Sequence, residues 1–232
     1  MHEHHSHLAV GFAAVLLAGL LTPTAAAEGT VPLGGGAGID VRGQLCTLTT
    51  IGHDSAGNLI GFTSSHCGGP AASVAAEGAG GAVGSVVAAN YGLDYAVIKF
   101  DPAKVTPIHD FDGFAINGVG PELPQVELQT ACQQSRATGH ACAQIFASSQ
   151  TVYECGNPGD AGAPLTVNDQ LIGMIRGGFT PDGSACPQMH DFDIPHPYFS
   201  KQDRPQVVSF DAILGDVNAK GVPGAGFSPI PA

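Results

Sequence analysis

The sequence predicts an all-β protein made of two packed β-barrels followed by a single C-terminal helix. The chain has 33 glycines and 17 prolines among 232 residues and no tryptophan, a composition typical of short strands joined by turns. β-like runs come first, and the one segment with both helix start and stop signals comes last. About 200 residues suffice for one two-barrel protein without a separate functional module.

We expect residues 1–27 to be a secretory signal, cleaved near Ala27, and exclude them from the fold. The apolar run 8–21 precedes Ala25-Ala26-Ala27, the small-x-small pattern of a cleavage site. The residues before the run include histidines but no Lys or Arg, which departs from the usual signal. The run is shorter than the roughly 20 residues that span a bilayer, and no second apolar run follows. The sequence thus predicts a secreted or cell-envelope protein without a membrane span.

The first half of the chain reads as a β-unit. β-like runs at 41–50 and Leu59–Thr63 flank the turn-prone segment 53–58, which predicts a hairpin. The Gly/Ala-rich segment 68–84 has little to bury and is expected to wind between short strands. The strongest single strand is Tyr95–Phe100, which ends at Asp-Pro.

The second half reads as another β-unit closed by a helix. Ser209 as N-cap and Gly221 as stop predict a helix over Phe210–Lys220. Gly and Pro cluster at 113–124, which places the boundary there. The expected bounds are therefore 28–118 for the first barrel, 119–208 for the second, and 209–232 for the helix and tail. The expected strands of the second barrel are 126–131, 144–147, 151–154 and 171–175.

Charge and cysteine content limit the partners. The formal net charge is −12, with 8 Lys and Arg against 20 Asp and Glu. Nucleic acid and anionic lipid both require clustered Lys and Arg, so neither is expected as a partner. Six cysteines in an exported chain favour disulfides, although sequence alone leaves their pairing open. The sequence contains no C-x-x-C pair, so a zinc site is not favoured. We expect a monomer without metal or cofactor.

The most informative stretch is the segment 155–165, which reads Cys-Gly-Asn-Pro-Gly-Asp-Ala-Gly-Ala-Pro-Leu. It resembles the Gly-Asp-Ser-Gly-Gly-Pro nucleophile loop of chymotrypsin-fold serine proteases, most closely the bacterial streptogrisin and alpha-lytic type. Ala161 stands at the serine position and Ala163 at the second glycine. An alanine methyl has no lone pair and no ionisable proton, so it cannot attack a carbonyl.

Two further segments carry the resemblance. The segment 62–67, Phe-Thr-Ser-Ser-His-Cys, resembles the family's Thr-Ala-Gly-His-Cys, which implies that His66 is the general base. The segment beginning at Asp94, Asp-Tyr-Ala-Val, resembles the strand that begins with the aspartate orienting that base. The chain order of His, Asp and nucleophile agrees with this family and differs from that of subtilisin and the α/β-hydrolases.

The resemblance also implies where a ligand would bind. The backbone N–H groups of Gly159 and Ala161 would form an oxyanion hole, which neither substitution removes. The residues Arg176, Gly177 and Gly178 match the family's Ser-Gly-Gly, which pairs with an extended substrate. Because that serine adjoins the aspartate in the family, we expect Arg176 to pair with Asp94 and to compete with His66 for it.

The same resemblance implies two six-stranded antiparallel barrels and three disulfides. The expected pairs are Cys46–Cys67, Cys132–Cys142 and Cys155–Cys186.

Three functions stay open. The first, which the departures at Ala161, Ala163 and Arg176 favour, is an exported pseudoprotease that keeps a peptide-binding groove. The second is an active secreted serine endopeptidase with an unrecognised nucleophile. The third is a metal- or ligand-binding envelope protein that uses the loop 187–206. That loop has two histidines and two carboxylates, but a solvated acidic loop is the favoured interpretation.

Overall fold

A computed structural model describes residues 29–121, 129–145, 157, 159–177 and 206–232. Several expectations fall on other residues and lie outside the described part of the chain. They are the signal at 1–27, the strand 151–154, the pair Cys155–Cys186, Gly178 and most of the loop 187–206.

The described residues form strands, short turns and one α-helix, as predicted, with 48% in strands and 9% in helix. The first half contains β1 (Val31–Leu33), β2 (Gly38–Val41), β3 (Gln44–Thr47), β4 (Thr50–His53), β5 (Leu59–Thr63), β6 (Ser73–Ala76), β7 (Gly84–Asn90), β8 (Tyr95–Phe100), β9 (Val105–Pro107), β10 (Asp110–Phe111) and β11 (Phe114–Ala115). The second half contains β12 (Gly118–Val119), β13 (Gln129–Ser135), β14 (Gly139–Ile145), β15 (Pro164–Val167), β16 (Gln170–Gly177), β17 (Gln206–Ser209), α1 (Phe210–Lys220) and β18 (Ser228–Pro229).

The first barrel closes because one bent stretch of chain pairs on both sides. Strand β3 pairs with β2, and β4, which follows after two residues, pairs with β5. At the bend, Leu48 N–H donates to Ala37 O at 2.8 Å and Thr49 N–H donates to Phe62 O at 2.7 Å. The circuit continues from β5 through β8, β7 and β6 back to β2. Counting β3 and β4 as one bent strand, the ring has six antiparallel strands.

The second sheet has the order β12-β16-β15-β13-β14, with β17 paired to the other part of β16. All of its described pairings are antiparallel except β12 with β16. The last strand, β18, returns to the first barrel and pairs with β4. The domain bounds at 118 and 208 remain predictions.

One apolar core joins the two halves and the helix. Phe62 of β5 lies edge-on to Phe210 of α1, with ring centroids 5.2 Å apart, and edge-on to Phe227, at 5.0 Å. The same cluster includes Leu171 and Met174 of β16. Because both sheets pack into this cluster, the residues at their junction are held by both.

The structure corrects the strand predicted at 41–50. That stretch is the end of β2, a turn, β3 and the start of β4. The turn falls at Arg42 and Gly43, which have φ angles of 54° and 90°. In contrast, Leu59–Thr63, Tyr95–Phe100 and Phe210–Lys220 have the predicted bounds.

Candidate active site

His66 lies on a 3-10 turn, Ser65–Cys67, at the end of β5. The disulfide Cys46–Cys67 fixes the turn to β3, which confirms this predicted pair. The imidazole is 40% exposed, and its Nδ1 lies 2.9 Å from Oδ2 of Asp94. One nitrogen of the ring therefore faces a carboxylate while the side chain stays accessible, as a general base requires.

Asp94 precedes β8 with a φ of 53°, an uncommon conformation for a residue other than glycine. Its carboxylate accepts four hydrogen bonds. Oδ1 accepts from Ser65 Oγ at 2.8 Å and from His66 N at 3.1 Å. Oδ2 accepts from Ser64 Oγ at 2.5 Å and from His66 Nδ1 at 2.9 Å. A carboxylate offers about four lone-pair positions, so these donors fill them.

These contacts keep Asp94 ionised despite its burial. Burial alone would raise the pKa of Asp94, but hydrogen bonds from His66, Ser64 and Ser65 hold that pKa below its ordinary value. The two serine hydroxyls were not anticipated as contributors. In the family segment these positions hold small residues without hydroxyl groups, and that difference is the signal that would have identified them.

Arg176 lies at the same carboxylate but outside hydrogen-bond distance. Its Nε is 3.9 Å from Oδ2 of Asp94, and its Nη2 donates a long bond of 3.5 Å to Gly92 O. The two side chains are within ion-pair distance, but the predicted pairing within hydrogen-bond distance is not formed. The predicted competition with His66 is wrong in this geometry, because His66 keeps its 2.9 Å bond and no lone pair of Asp94 is left for the guanidinium.

The segment 159–163, here called the Ala161 loop, is buried and fastened to the first barrel. Thr47 Oγ1 donates to Gly159 O at 2.7 Å, and Thr47 N–H donates to Ala161 O at 2.9 Å. Thr49 Oγ1 donates to Gly162 O at 2.6 Å. These two threonines position the Ala161 loop, and no motif in their own segment predicts this role.

Glycine is required at Gly162 for two reasons. Its φ is 91°, and a Cβ there would collide with Thr47 O and Thr63 Oγ1. The neighbouring Ala163 has no such requirement: its N–H donates to Asp160 O at 2.8 Å, and its carbonyl accepts from Ile175 N–H at 2.9 Å. The methyl group at Ala163 is therefore accommodated without a left-handed backbone.

Asp160 anchors the Ala161 loop to the second barrel. The buried carboxylate accepts from Ser135 Oγ at 2.7 Å, Thr138 Oγ1 at 2.6 Å and Asn157 N–H at 2.7 Å. Together with the threonines of the first barrel, Asp160 fixes the Ala161 loop from both sides.

Two backbone N–H groups in this loop have no acceptor among the described residues. The amides of Gly159 and Ala161 donate no hydrogen bond there, although both residues are buried. Arg136 lies beside them: a Cβ built on Gly159 would lie 3.0 Å from Nη1 of Arg136, whose Nε is paired with Glu77 at 2.8 Å. A buried N–H without a partner is costly, so this pair is suited to an added acceptor.

The remaining predicted residues fall as follows. Cys132 and Cys142 form the second predicted disulfide across β13 and β14. His140 lies near them, but thiols joined in a disulfide cannot serve as thiolate ligands. Gly177 ends β16. Among the residues described, no helix is long and apolar enough to cross a membrane.

Comparison with solved structures identifies the fold. The chain is similar to protease A of Thermobifida fusca, with a TM-score of 0.60 and 16% identity over 83% of this chain and 98% of that one. It is similar to a Nocardiopsis protease, with a TM-score of 0.55 and 17% identity over 83% and 98%. It is also similar to alpha-lytic protease homolog N4, with a TM-score of 0.55 and 20% identity over 83% and 99%.

These neighbours share a fold rather than a close sequence. No protein-family model matches the chain, and no curated protein matches it significantly in sequence. The chain has the chymotrypsin-like double-barrel fold of bacterial serine proteases of the streptogrisin and alpha-lytic type.

Proposed function

We propose that this chain is an exported, catalytically inactive homologue of the trypsin-like serine proteases that binds an extended peptide segment. The observation that carries the proposal is Ala161 at the expected nucleophile position beside a hydrogen-bonded His66 and Asp94. His66 and Asp94 are hydrogen-bonded at 2.9 Å, and the N–H groups of Gly159 and Ala161 lack acceptors among the described residues. The proposed site has no nucleophilic oxygen at Ala161, and a methyl group cannot replace it.

The end of β16 supports the peptide-binding part of the proposal. Strand β15 pairs with β16 only as far as Met174, and Ile175 N–H bonds to Ala163 O. Beyond that point Arg176 and Gly177 continue without a partner on this side within the described chain. A short, unpaired stretch of strand next to two free N–H groups suits the addition of an extended peptide.

The alternative of an active endopeptidase requires another nucleophile near His66. Ser64 and Ser65 are the nearest hydroxyls in the contacts described, but both are buried and donate to Asp94. Ser64 Oγ also lies 2.8 Å from Nδ1 of His66, the nitrogen that faces Asp94. A nucleophile must instead face the outer nitrogen and the substrate, so neither serine fits that role.

Export is supported by the two disulfides. Cys46–Cys67 and Cys132–Cys142 are formed, and such bonds persist mainly in oxidising compartments. The leader-like segment 1–27 agrees with this location. The metal-binding alternative, which depends on the loop 187–206, stays a prediction.

A fluorophosphonate probe and a casein digest test the proposal. The unmodified protein is expected neither to label nor to cleave casein, yet to retain casein peptides on gel filtration, as detected by mass spectrometry. Robust cleavage that His66→Ala abolishes would overturn the inactive assignment. If no peptide is retained, the proposed peptide-binding groove would be contradicted.

A further inference from the structure

Arg176 carries hydrogen-bond donors that the described residues do not use. A guanidinium has five N–H donors, and the single hydrogen bond found here is the 3.5 Å contact to Gly92 O. Asp94, the nearest anion, already accepts four hydrogen bonds from three other residues. The Arg176 side chain is 33% exposed, whereas that of Asp94 is 11% exposed. A ligand that approaches from solvent would therefore contact the Arg176 side chain rather than the Asp94 carboxylate.

Arg176 directly follows the residue that joins β16 to the Ala161 loop. Gly162 N–H donates to Ile175 O at 2.7 Å, and Ile175 N–H donates to Ala163 O. Arg176 is the next residue, so its backbone leaves β16 directly beside the loop. The backbone of Arg176 thus adjoins the Ala161 loop, in which the N–H groups of Gly159 and Ala161 lack acceptors among the described residues, while its guanidinium lies at Asp94 and Gly92 O, beside the imidazole of His66.

From this geometry we infer that the site binds the free C-terminal carboxylate of a peptide. The inference rests on the proposed peptide groove and adds the chemical group recognised. A carboxylate has one oxygen more than the carbonyl of an internal peptide bond. One oxygen would accept from the two N–H groups, and the second would face the methyl group of Ala161, where a serine protease has its hydroxyl. Arg176 pairs with the carboxylate charge.

The charge balance of the chain supports this assignment. With 8 basic against 20 acidic residues, most of the protein repels an anion. Three arginines lie in the described residues; Arg136 adjoins Gly159, and Arg176 follows Ile175, whose N–H bonds to Ala163 O. A carboxylate would therefore need a local cluster of donors. A hydrogen bond from a charged guanidinium is stronger than one between neutral groups, which makes Arg176 a suitable member of that cluster.

Matched peptides test the inference. The probes are the acetylated tetrapeptides Ac-Ala-Ala-Ala-X, with X as Leu, Phe, Val, Gln or Lys, each made as the free acid and as the C-terminal amide. Dissociation constants are measured by isothermal titration on the unmodified protein, Arg176→Gln, Arg176→Lys and Arg42→Gln. Arg42 is an exposed arginine in the β2–β3 turn, so Arg42→Gln controls for loss of one positive charge.

We expect the free acids to bind about tenfold or more tightly than the amides, as one charge-assisted hydrogen bond would give. Arg176→Gln should remove this preference, Arg176→Lys should keep part of it, and Arg42→Gln should keep all of it. Equal binding of acids and amides overturns the carboxylate inference and leaves the peptide groove standing. If the folded protein binds neither the free acids nor the amides, both the carboxylate inference and the peptide groove are overturned. A preference that survives Arg176→Gln also overturns the role assigned to Arg176.

Discussion

The Nε of Arg176 lies 3.9 Å from Oδ2 of Asp94, close enough for an ion pair and too far for a hydrogen bond. The separation follows from the serine hydroxyls and His66 nitrogens that already occupy the carboxylate. Arg176 therefore adds charge to the site without displacing the imidazole. His66, the proposed base, is thus oriented in a chain that has Ala161 at the proposed nucleophile position, and this combination can be tested directly.

Ala161→Ser should restore labelling by a fluorophosphonate. The reagent needs an oxygen nucleophile and an oriented base, and the 2.9 Å bond between His66 and Asp94 supplies the second. We expect labelling at least about 100-fold faster than in the unmodified protein, within the range that general base catalysis contributes. His66→Ala in the Ala161→Ser background should lower the rate by a similar factor. A folded Ala161→Ser protein that labels no faster would show that the imidazole is misplaced for catalysis.

Casein hydrolysis should require more than the restored serine. Ala163 and Arg176 would still differ from the glycine and serine of the family, so Ala161→Ser alone should cleave casein weakly. The triple change Ala161→Ser, Ala163→Gly and Arg176→Ser should exceed the product of the single effects, because residues that act as a unit are non-additive. Initial rates on fluorescent casein decide this. Strict additivity of the three changes would argue that the substitutions are independent.

Ser64→Ala should draw Arg176 to Asp94. Removing the Ser64 hydroxyl frees an acceptor position on Oδ2, the oxygen that faces the guanidinium, and we expect their separation to fall to about 3.2 Å or less. Because a hydrogen bond to a charged group contributes about 1.5–3 kcal/mol, Ser64→Ala should lower the free energy of unfolding by about that amount. Urea unfolding measures this change. Ser65→Ala is the matched control, because Ser65 donates to Oδ1. If Arg176 keeps its position in a crystal structure of Ser64→Ala, then the hydrogen bonds that Asp94 already accepts are not what keeps the guanidinium at a distance.

Asp216 should stabilise the fold in a defined pH window. Hydrogen bonds from Lys220, Tyr95 and Asn90 lower the pKa of Asp216 from 3.8 to about 2. A carboxyl whose pKa is lowered on folding stabilises above its unfolded pKa and loses that effect as the pH falls through the folded value. The unfolding free-energy difference between the unmodified protein and Asp216→Asn should thus be constant above about pH 5 and shrink between pH 3.8 and about 2.

Urea unfolding at each pH measures that difference. Asp211→Asn, which removes a carboxylate at an exposed position on the same helix, is the control. A constant difference for Asp216→Asn down to pH 2 would mean that the contacts of Asp216 do not depend on its charge.

Peptide mapping without reduction should find Cys155 joined to Cys186. With Cys46–Cys67 and Cys132–Cys142 formed, these are the two cysteines that remain of six, and the oxidising environment expected for the chain favours a bond. A free thiol at either position would show that the family resemblance fails in that part of the second barrel.

Sequence reasoning succeeded where one local signal dominates. The helix Phe210–Lys220 has the predicted bounds because Ser209 caps its start and Gly221, at a φ of 59°, ends it. The strand Tyr95–Phe100 was also predicted with the correct bounds, because it is a nearly continuous apolar run. The failure at 41–50 has a local cause too, since the polar turn at Arg42 and Gly43 interrupts a run that otherwise reads as β.

Most of the site's support depended on contacts between distant residues. Thr47 and Thr49 bond to the Ala161 loop across sequence separations of 112 and 113 residues, and nothing in their own neighbourhood indicates this. Likewise, the four bonds to Asp94 that keep Arg176 at a distance come from a turn about 30 residues earlier. The sequence placed the motif residues, whereas the donors that decide their chemistry emerged only from the packing.

The return of β18 to β4 has a consequence for how the chain is made. Strand β4 begins at Thr50, yet its outer neighbour is supplied by Ser228 and Pro229. During synthesis that edge of the first barrel stays uncovered until Ser228 and Pro229 have been made. Until then, the exposed edge of β4 can pair with another chain, so a carrier that keeps the nascent protein extended would protect it, and truncation after the helix should favour aggregation.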